Sequence, residues 1–171
     1  MLTLHTKLDY AATVDDTLVL DYDRREKCRL RVRLASGQEA ALFMVRGTVL
    51  RDGDLLTGPE HQVVRVVAAL EPTYAIRCDD ALTLLRCAYH LGNRHTPIAI
   101  GVDLLRIRVD KVLREMVEGL GAHVTEEDAA FEPEQGAYSG GGHHHGERSA
   151  LNFPLAPVPL RQKIHRPGDP P

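Results

Sequence analysis

Asp79-Asp80-Ala81-Leu82-Thr83-Leu84-Leu85-Arg86-Cys87-Ala88-Tyr89-His90-Leu91-Gly92-Asn93-Arg94-His95-Thr96-Pro97 is the stretch that decides the fold. Its apolar stripe, Ala81, Leu84, Leu85 and Ala88, repeats at the 3.6-residue period of a helix with one buried face. Asp79 or Asp80 caps the start, because a carboxylate accepts the free N–H groups of the first turn. Gly92 sits where a left-handed C-terminal cap belongs, and Pro97 stops the helix from resuming. Before this helix, Thr73-Tyr74-Ala75-Ile76-Arg77 reads as a strand. After it come two strands, Ile98-Ala99-Ile100 and Leu104-Leu105-Arg106-Ile107-Arg108-Val109, around a turn near Gly101. Asp110 caps a second helix carrying Val112, Leu113, Met116, Val117 and Leu120, which ends at Gly119 or Gly121. Ala122-His123-Val124-Thr125 begins a last strand. The order β-α-β-β-α-β is the split βαβ, ferredoxin-like arrangement.

Towards the N-terminus the pattern changes to strands alone. Cys28-Arg29-Leu30-Arg31-Val32-Arg33-Leu34 alternates strictly, with leucines and valine on one face and arginines on the other. Ser36-Gly37 turns the chain into a hairpin partner, Glu39-Ala40-Ala41-Leu42-Phe43-Met44-Val45. Thr17-Leu18-Val19-Leu20 and Gln62-Val63-Val64-Arg65-Val66-Val67 are further strands, and Gly53 supplies a tight turn at 51–54. The expected fold class is therefore α+β: a small all-β N-terminal domain over residues 1–70, then a ferredoxin-like βαββαβ domain over 71–138. From about Phe131 periodicity is lost, and seven of the ten prolines fall between Pro133 and the end. A flexible C-terminal tail over 139–171 is expected, with Leu151-Asn152-Phe153-Pro154-Leu155 its one apolar spot.

Composition narrows the function. The 171 residues are 43% hydrophobic and 26% charged, ordinary for a soluble globular chain. A formal charge of −3 argues against nucleic acid as a partner, and no basic face stands out. No stretch approaches the roughly 20 apolar residues of a membrane span, and 1–7 lack the apolar run of a signal peptide, so a cytoplasmic protein is expected. Cys28, Cys78 and Cys87 show no CxxC spacing and read as small buried hydrophobes. No HExxH, G-x-S-x-G or phosphate-binding glycine loop appears, and Glu126-Glu127-Asp128 reads as a solvated face, so an enzyme is not expected.

The histidines carry the chemistry. Imidazole suits nickel, zinc and copper. His90 lies in the last turn of the first helix, where the helix dipole favours it and a structural role is expected. His95 follows the helix stop, in a connection where a side chain can face outward. One ring holds a transition metal poorly, but a residue near a twofold axis meets its own copy in a homodimer. Two His95 rings then bind an ion without enclosing it, which suits delivery. The other reading of His95, a ring hydrogen-bonded at a helix end, stays open at this point. In the tail, Gly140-Gly141-Gly142-His143-His144-His145 is a short His tract, a compositional metal signal. His143, His144 and His145 on a tether can complete a partly filled shell, and His165 is a weaker candidate. His5, His61 and His123 are isolated. Binding by imidazole weakens below about pH 6.5, where a protonated ring cannot ligate.

Three motifs in order resemble the UreE family, nickel-carrying accessory proteins of urease maturation. Tyr89-His90-Leu91-Gly92-Asn93-Arg94-His95 with Pro97 is similar to the family's metal-site signature. Arg46-Gly47-Thr48-Val49-Leu50-Arg51-Asp52-Gly53-Asp54 is similar to its N-terminal domain motif. Phe131-Glu132-Pro133-Glu134-Gln135-Gly136-Ala137-Tyr138 resembles the entry to its His-bearing tail. The resemblance implies a peptide-binding-like N-terminal domain, a homodimer, nickel held at the dimer interface by His95, and assistance from His143, His144 and His145. It implies that Ni2+ is cargo, for which Zn2+ or Cu2+ compete, handed through the urease accessory GTPase to the urease apoprotein complex. Some family members carry extra histidines at the start of the second helix; Val109, Asp110 and Lys111 stand there in this chain. The rival expectation is a peptide- or protein-binding chaperone module, holding an extended segment by strand addition, in which metal binding is incidental.

Overall fold

The computed structural model describes residues 1–135. The expected flexible tail over 139–171, with His143, His144, His145 and His165, lies outside the described residues.

Seven strands and one helical turn form the N-terminal part: β1 (Leu2–Leu4), β2 (Thr6–Leu8), β3 (Asp16–Leu20), α1 (Tyr22–Arg25), β4 (Arg29–Arg33), β5 (Glu39–Phe43), β6 (Leu55–Thr57) and β7 (Val64–Ala68). They make two sheets, ordered β1-β5-β4 and β2-β6-β7-β3. Alternation works as expected in β4: Val32 and the following Leu34 enter a core with Leu4, Leu18, Leu42 and Leu56, while Arg29, Arg31 and Arg33 stay outside. Gly37 and Gly53 turn the chain with φ of +89° and +82°. The three-residue strands β1, β2 and β6 are not legible in the sequence. Each is too short to show a period, and pairing with a neighbour makes it a strand. The all-β expectation also misses α1, a single turn capped by Asp21, whose carboxylate accepts the Arg24 N–H at 2.8 Å.

The second part is β8 (Leu70–Arg77), α2 (Ala81–Gly92), β9 (Ala99–Ile100), β10 (Leu105–Arg108), α3 (Lys111–Gly119) and β11 (His123–Ala130). The strand order β11-β8-β10-β9, antiparallel throughout, is the ferredoxin-like arrangement that the β-α-β-β-α-β pattern predicts. Tyr74, Ile76, Leu105 and Ile107 meet Leu91 and Val117 of the helices in a second core. One expectation is corrected. The inward face of α2 is Leu84, Cys87, Ala88 and Leu91, and Ala81 and Leu85 are exposed. Strand β11 runs on to Ala130, pairing with β8 along its whole length. Glu126 and Asp128 are exposed, as a solvated face requires, while Glu127 is half-buried and pairs with Arg106, whose guanidinium holds its carboxyl below the usual range. The long β8 ladder imposes the strand where apolar alternation is absent.

Residues 131–133 correct the expectation that order ends near Phe131. Phe131 is 0% exposed, its ring set edge-on to Tyr22 at 5.4 Å. Arg25, also 0% exposed, donates to the carbonyls of Leu50 and Phe131 and pairs with Glu132. Arg51 donates to Glu132 at 3.1 Å and to the Pro133 carbonyl at 2.9 Å. A buried guanidinium without a counter-ion is strongly unfavourable, so this short segment is held down by charge as well as by an aromatic ring. Phe131→Ala is expected to lower unfolding free energy by about 3–5 kcal/mol in urea denaturation; a change below about 1 kcal/mol contradicts a docked segment.

Candidate functional site

Helix α2 begins at Asp80, whose carboxylate accepts the Thr83 N–H at 2.9 Å and the Thr83 hydroxyl at 2.7 Å. Its far end does not close at Gly92 as expected. Gly92 keeps helical company, and the chain makes a further turn in which Asn93 N–H reaches Tyr89 O at 3.0 Å and Arg94 N–H reaches Leu91 O at 3.1 Å. Then His95 N–H donates to Gly92 O at 2.9 Å and Thr96 N–H to Leu91 O at 3.4 Å. Those two bonds are the paired closure of a Schellman cap, and the left-handed residue it needs is His95, at φ +54°. The same closure ends α3, with Gly121 N–H to Glu118 O and Ala122 N–H to Val117 O, but there the left-handed residue is a glycine at φ +98°. A side chain in the left-handed region costs about 1–2 kcal/mol. At α2 an imidazole-bearing residue stands at the left-handed position that a glycine fills at α3.

Backbone conformation alone does not mark a ligand. His61 is also left-handed, φ +59°, in a turn where its N–H meets Gly58 O. His95 differs in its surroundings. It lines an open depression with Arg94, Pro97, Arg108, Asp110 and Leu113, between the end of α2 and the turn into α3. Among the described residues nothing hydrogen-bonds its ring. His90 is half-buried, its ring edge-on to Tyr89 at 5.3 Å, its carbonyl accepting from Arg94 at 3.2 Å. His123 pairs with Asp79 at 3.2 Å.

Among the described residues no three His, Cys, Asp or Glu side chains converge. The thiols do not compensate. Cys87 is fully buried, and burial, followed by the neighbouring Cys78, pushes its thiol up to about 11; burial also raises Cys78. Both shifts disfavour the thiolate, the form that binds metal. Cys28 and Cys78 are only half-buried, a partial correction to the expectation of three buried cysteines.

Two neighbouring features were hidden in the sequence. Leu82, Leu85 and Tyr89, on the outward side of α2, are 68%, 67% and 66% exposed. The helix that ends in His95 thus has a second apolar face. Glu134 N–H donates to Ile98 O at 2.8 Å, so the chain leaves the described fold three residues from His95. Neither follows from periodicity, since one needs the true inward face of α2 and the other a contact between distant segments.

Known proteins match this layout. The N-terminal domain of UreE urease accessory protein matches residues 3–69, and the C-terminal domain of UreE urease accessory protein matches residues 71–152. The chain is 59% identical over 172 residues to a protein of Nitrosospira multiformis named urease accessory protein UreE, covering 99% of this chain and 98% of that one. It is 60% identical over 176 residues to a protein of the same name from a Janthinobacterium species, with the same coverage. A third of that name, from Paraburkholderia xenovorans, is 51% identical over 142 residues, or 82% of this chain and 63% of the relative.

If the left-handed turn at His95 is strained, His95→Gly raises metal-free stability by about 1 kcal/mol in urea denaturation, and His95→Val lowers it by about as much. Equal loss in both variants contradicts the strain.

Proposed function

This chain belongs to the UreE family of urease accessory proteins, and on that premise we propose that it is a nickel metallochaperone of urease maturation, working as a cytoplasmic homodimer. The observation that carries this reading is His95: an exposed imidazole without a ring hydrogen bond among the described residues, held in a left-handed turn at the end of α2.

The outward stripe Leu82, Leu85 and Tyr89 supports a second copy on that side of α2, since a helix with two apolar faces is incompletely covered by one sheet. Around a twofold axis near the helix ends, His95 and His95 of the partner subunit supply two nitrogens and leave coordination positions open. His143, His144 and His145 fill these positions in turn. Chain length supports their reach: the eight residue steps from Gln135 to His143 span at most about 28 Å, starting beside the His95 connection. Imidazole-only ligation by a shell of tethered rings favours exchange, because each ring can leave singly while the others hold the ion. Zn2+ and Cu2+ compete for such a site. Delivery runs to the urease apoprotein complex through the accessory GTPase. The division into 1–70, 71–138 and 139–171 is part of the same proposal: binding unit, dimerising unit and tether.

Calorimetric titration of nickel into wild type, His95→Ala and a chain truncated after Tyr138 tests it. We expect His95→Ala to lose the tight site, and the truncation to keep a site weakened on the order of tenfold or more. Tight binding that survives His95→Ala overturns the assignment.

A further inference from the structure

Strand β4 is an edge of its sheet, and its pairing with β5 fixes which backbone groups face outward. Met44 N–H donates to Cys28 O at 2.7 Å, and Leu34 N–H donates to Gln38 O at 2.9 Å. In an antiparallel ladder, bonded positions alternate, so the even-numbered residues of β4 bond to β5. The N–H and C=O groups of Arg29, Arg31 and Arg33 therefore point away from the sheet. Among the described residues none of them meets another backbone group. The open stretch is bounded: just beyond it, Ala35 N–H donates to Thr17 O at 2.8 Å and closes the edge onto β3.

The side chains of these same three residues lie together on the outer face, all exposed. Arg24 of α1 lines the same groove as Arg31 and Arg33, with Met1 and Glu39. An adjoining hollow is floored by Ala41, with Met1 and Phe43 beside Arg29. Arg33 has one weak acidic neighbour, Glu39 at 3.6 Å, and Arg29, Arg31 and Arg24 have no ion-pair partner among the described residues. Four guanidinium groups thus gather on one small surface of a chain whose formal charge is −3. The expectation that no basic face stands out is corrected, because alternation concentrates charge that is diluted in the whole composition.

We propose that the β4 edge is a docking site for an extended acidic segment of a partner protein. The segment adds as a strand to the backbone groups of Arg29, Arg31 and Arg33. Its carboxylates, at every second position, face the three guanidinium groups. Strand addition gives affinity through main-chain bonds, and cross-strand pairing gives selectivity. The period of two follows from the pleat: an added strand places alternate side chains on the arginine face. Arginine suits the task, because its fork matches a carboxylate with two parallel bonds. Charges on an edge also keep strands from pairing indiscriminately, which is compatible with admitting a strand of opposite charge. The site is independent of the nickel reading; it uses none of the residues around His95.

Fluorescence anisotropy with the full-length protein tests this. The probe is a labelled peptide of nine residues with glutamate at every second position between threonines. Three companions separate the contributions: a peptide of the same composition with its glutamates clustered, the alternating peptide N-methylated at its edge-facing amides, and a single-stranded DNA of equal charge. We expect the alternating peptide to bind at least tenfold more tightly than all three. We expect R29Q/R31Q/R33Q to weaken it at least tenfold while nickel binding is unchanged. Arg31→Gln alone, on an exposed side chain, should weaken it severalfold. Equal binding of the clustered or N-methylated peptide overturns strand addition. Tighter binding of the DNA overturns the choice of partner. No binding by wild type, or no effect of the arginine substitutions, overturns the site.

Discussion

A fully buried guanidinium has to be answered with charge, and that requirement organises the described fold. Arg25 sits in α1, in the N-terminal part, yet its counter-ion is Glu132, beyond the last strand of the second part. Glu132 is shared with Arg51, and Phe131 seals the contact against Tyr22. Breaking one partner of such a buried pair costs about 3–5 kcal/mol, because the other charge is stranded. The chain after β11 is therefore led across to α1, and two residues later the Glu134 N–H docks on the Ile98 carbonyl. A charge in α1 thereby fixes the course of the last described residues, 131–135.

The connection at 93–97, just before the Ile98 carbonyl that Glu134 N–H meets, carries His95 exposed. Two physical demands meet there. Helix α2 needs a left-handed residue to close its last carbonyls, and glycine satisfies that demand at α3. On the proposed reading, a carrier site needs a ring that is held in place without being enclosed, and an imidazole at the left-handed position meets this second demand at a cost of about 1–2 kcal/mol to the first. On the proposed reading the outward stripe of α2 meets a second copy, and the ion takes further nitrogens from beyond one described fold.

Much of this was legible in the sequence. Caps and turns read well where one side chain does the work: Asp80, Asp110, Gly37 and Gly53 stand where they were expected. The ferredoxin-like order of elements read well because its helices are long enough to show a period. His95 was legible as a residue, but its left-handed turn was assigned to Gly92, since glycine is the better guess for any such cap. The short strands β1, β2 and β6, the full length of β11 and the docking of Phe131 were not legible. Each depends on a partner far along the chain, and local pattern carries no record of it. The arginines of β4 were read as an outer face, but the openness of that edge follows only from the hydrogen-bond parity with β5.

The most direct measurement is anomalous scattering at the nickel edge from crystals of the nickel-loaded, tag-free protein. The account predicts a peak on a molecular twofold axis, within bonding distance of a His95 nitrogen from each subunit. A nickel peak elsewhere, with the two His95 rings remote from it and from each other, contradicts it.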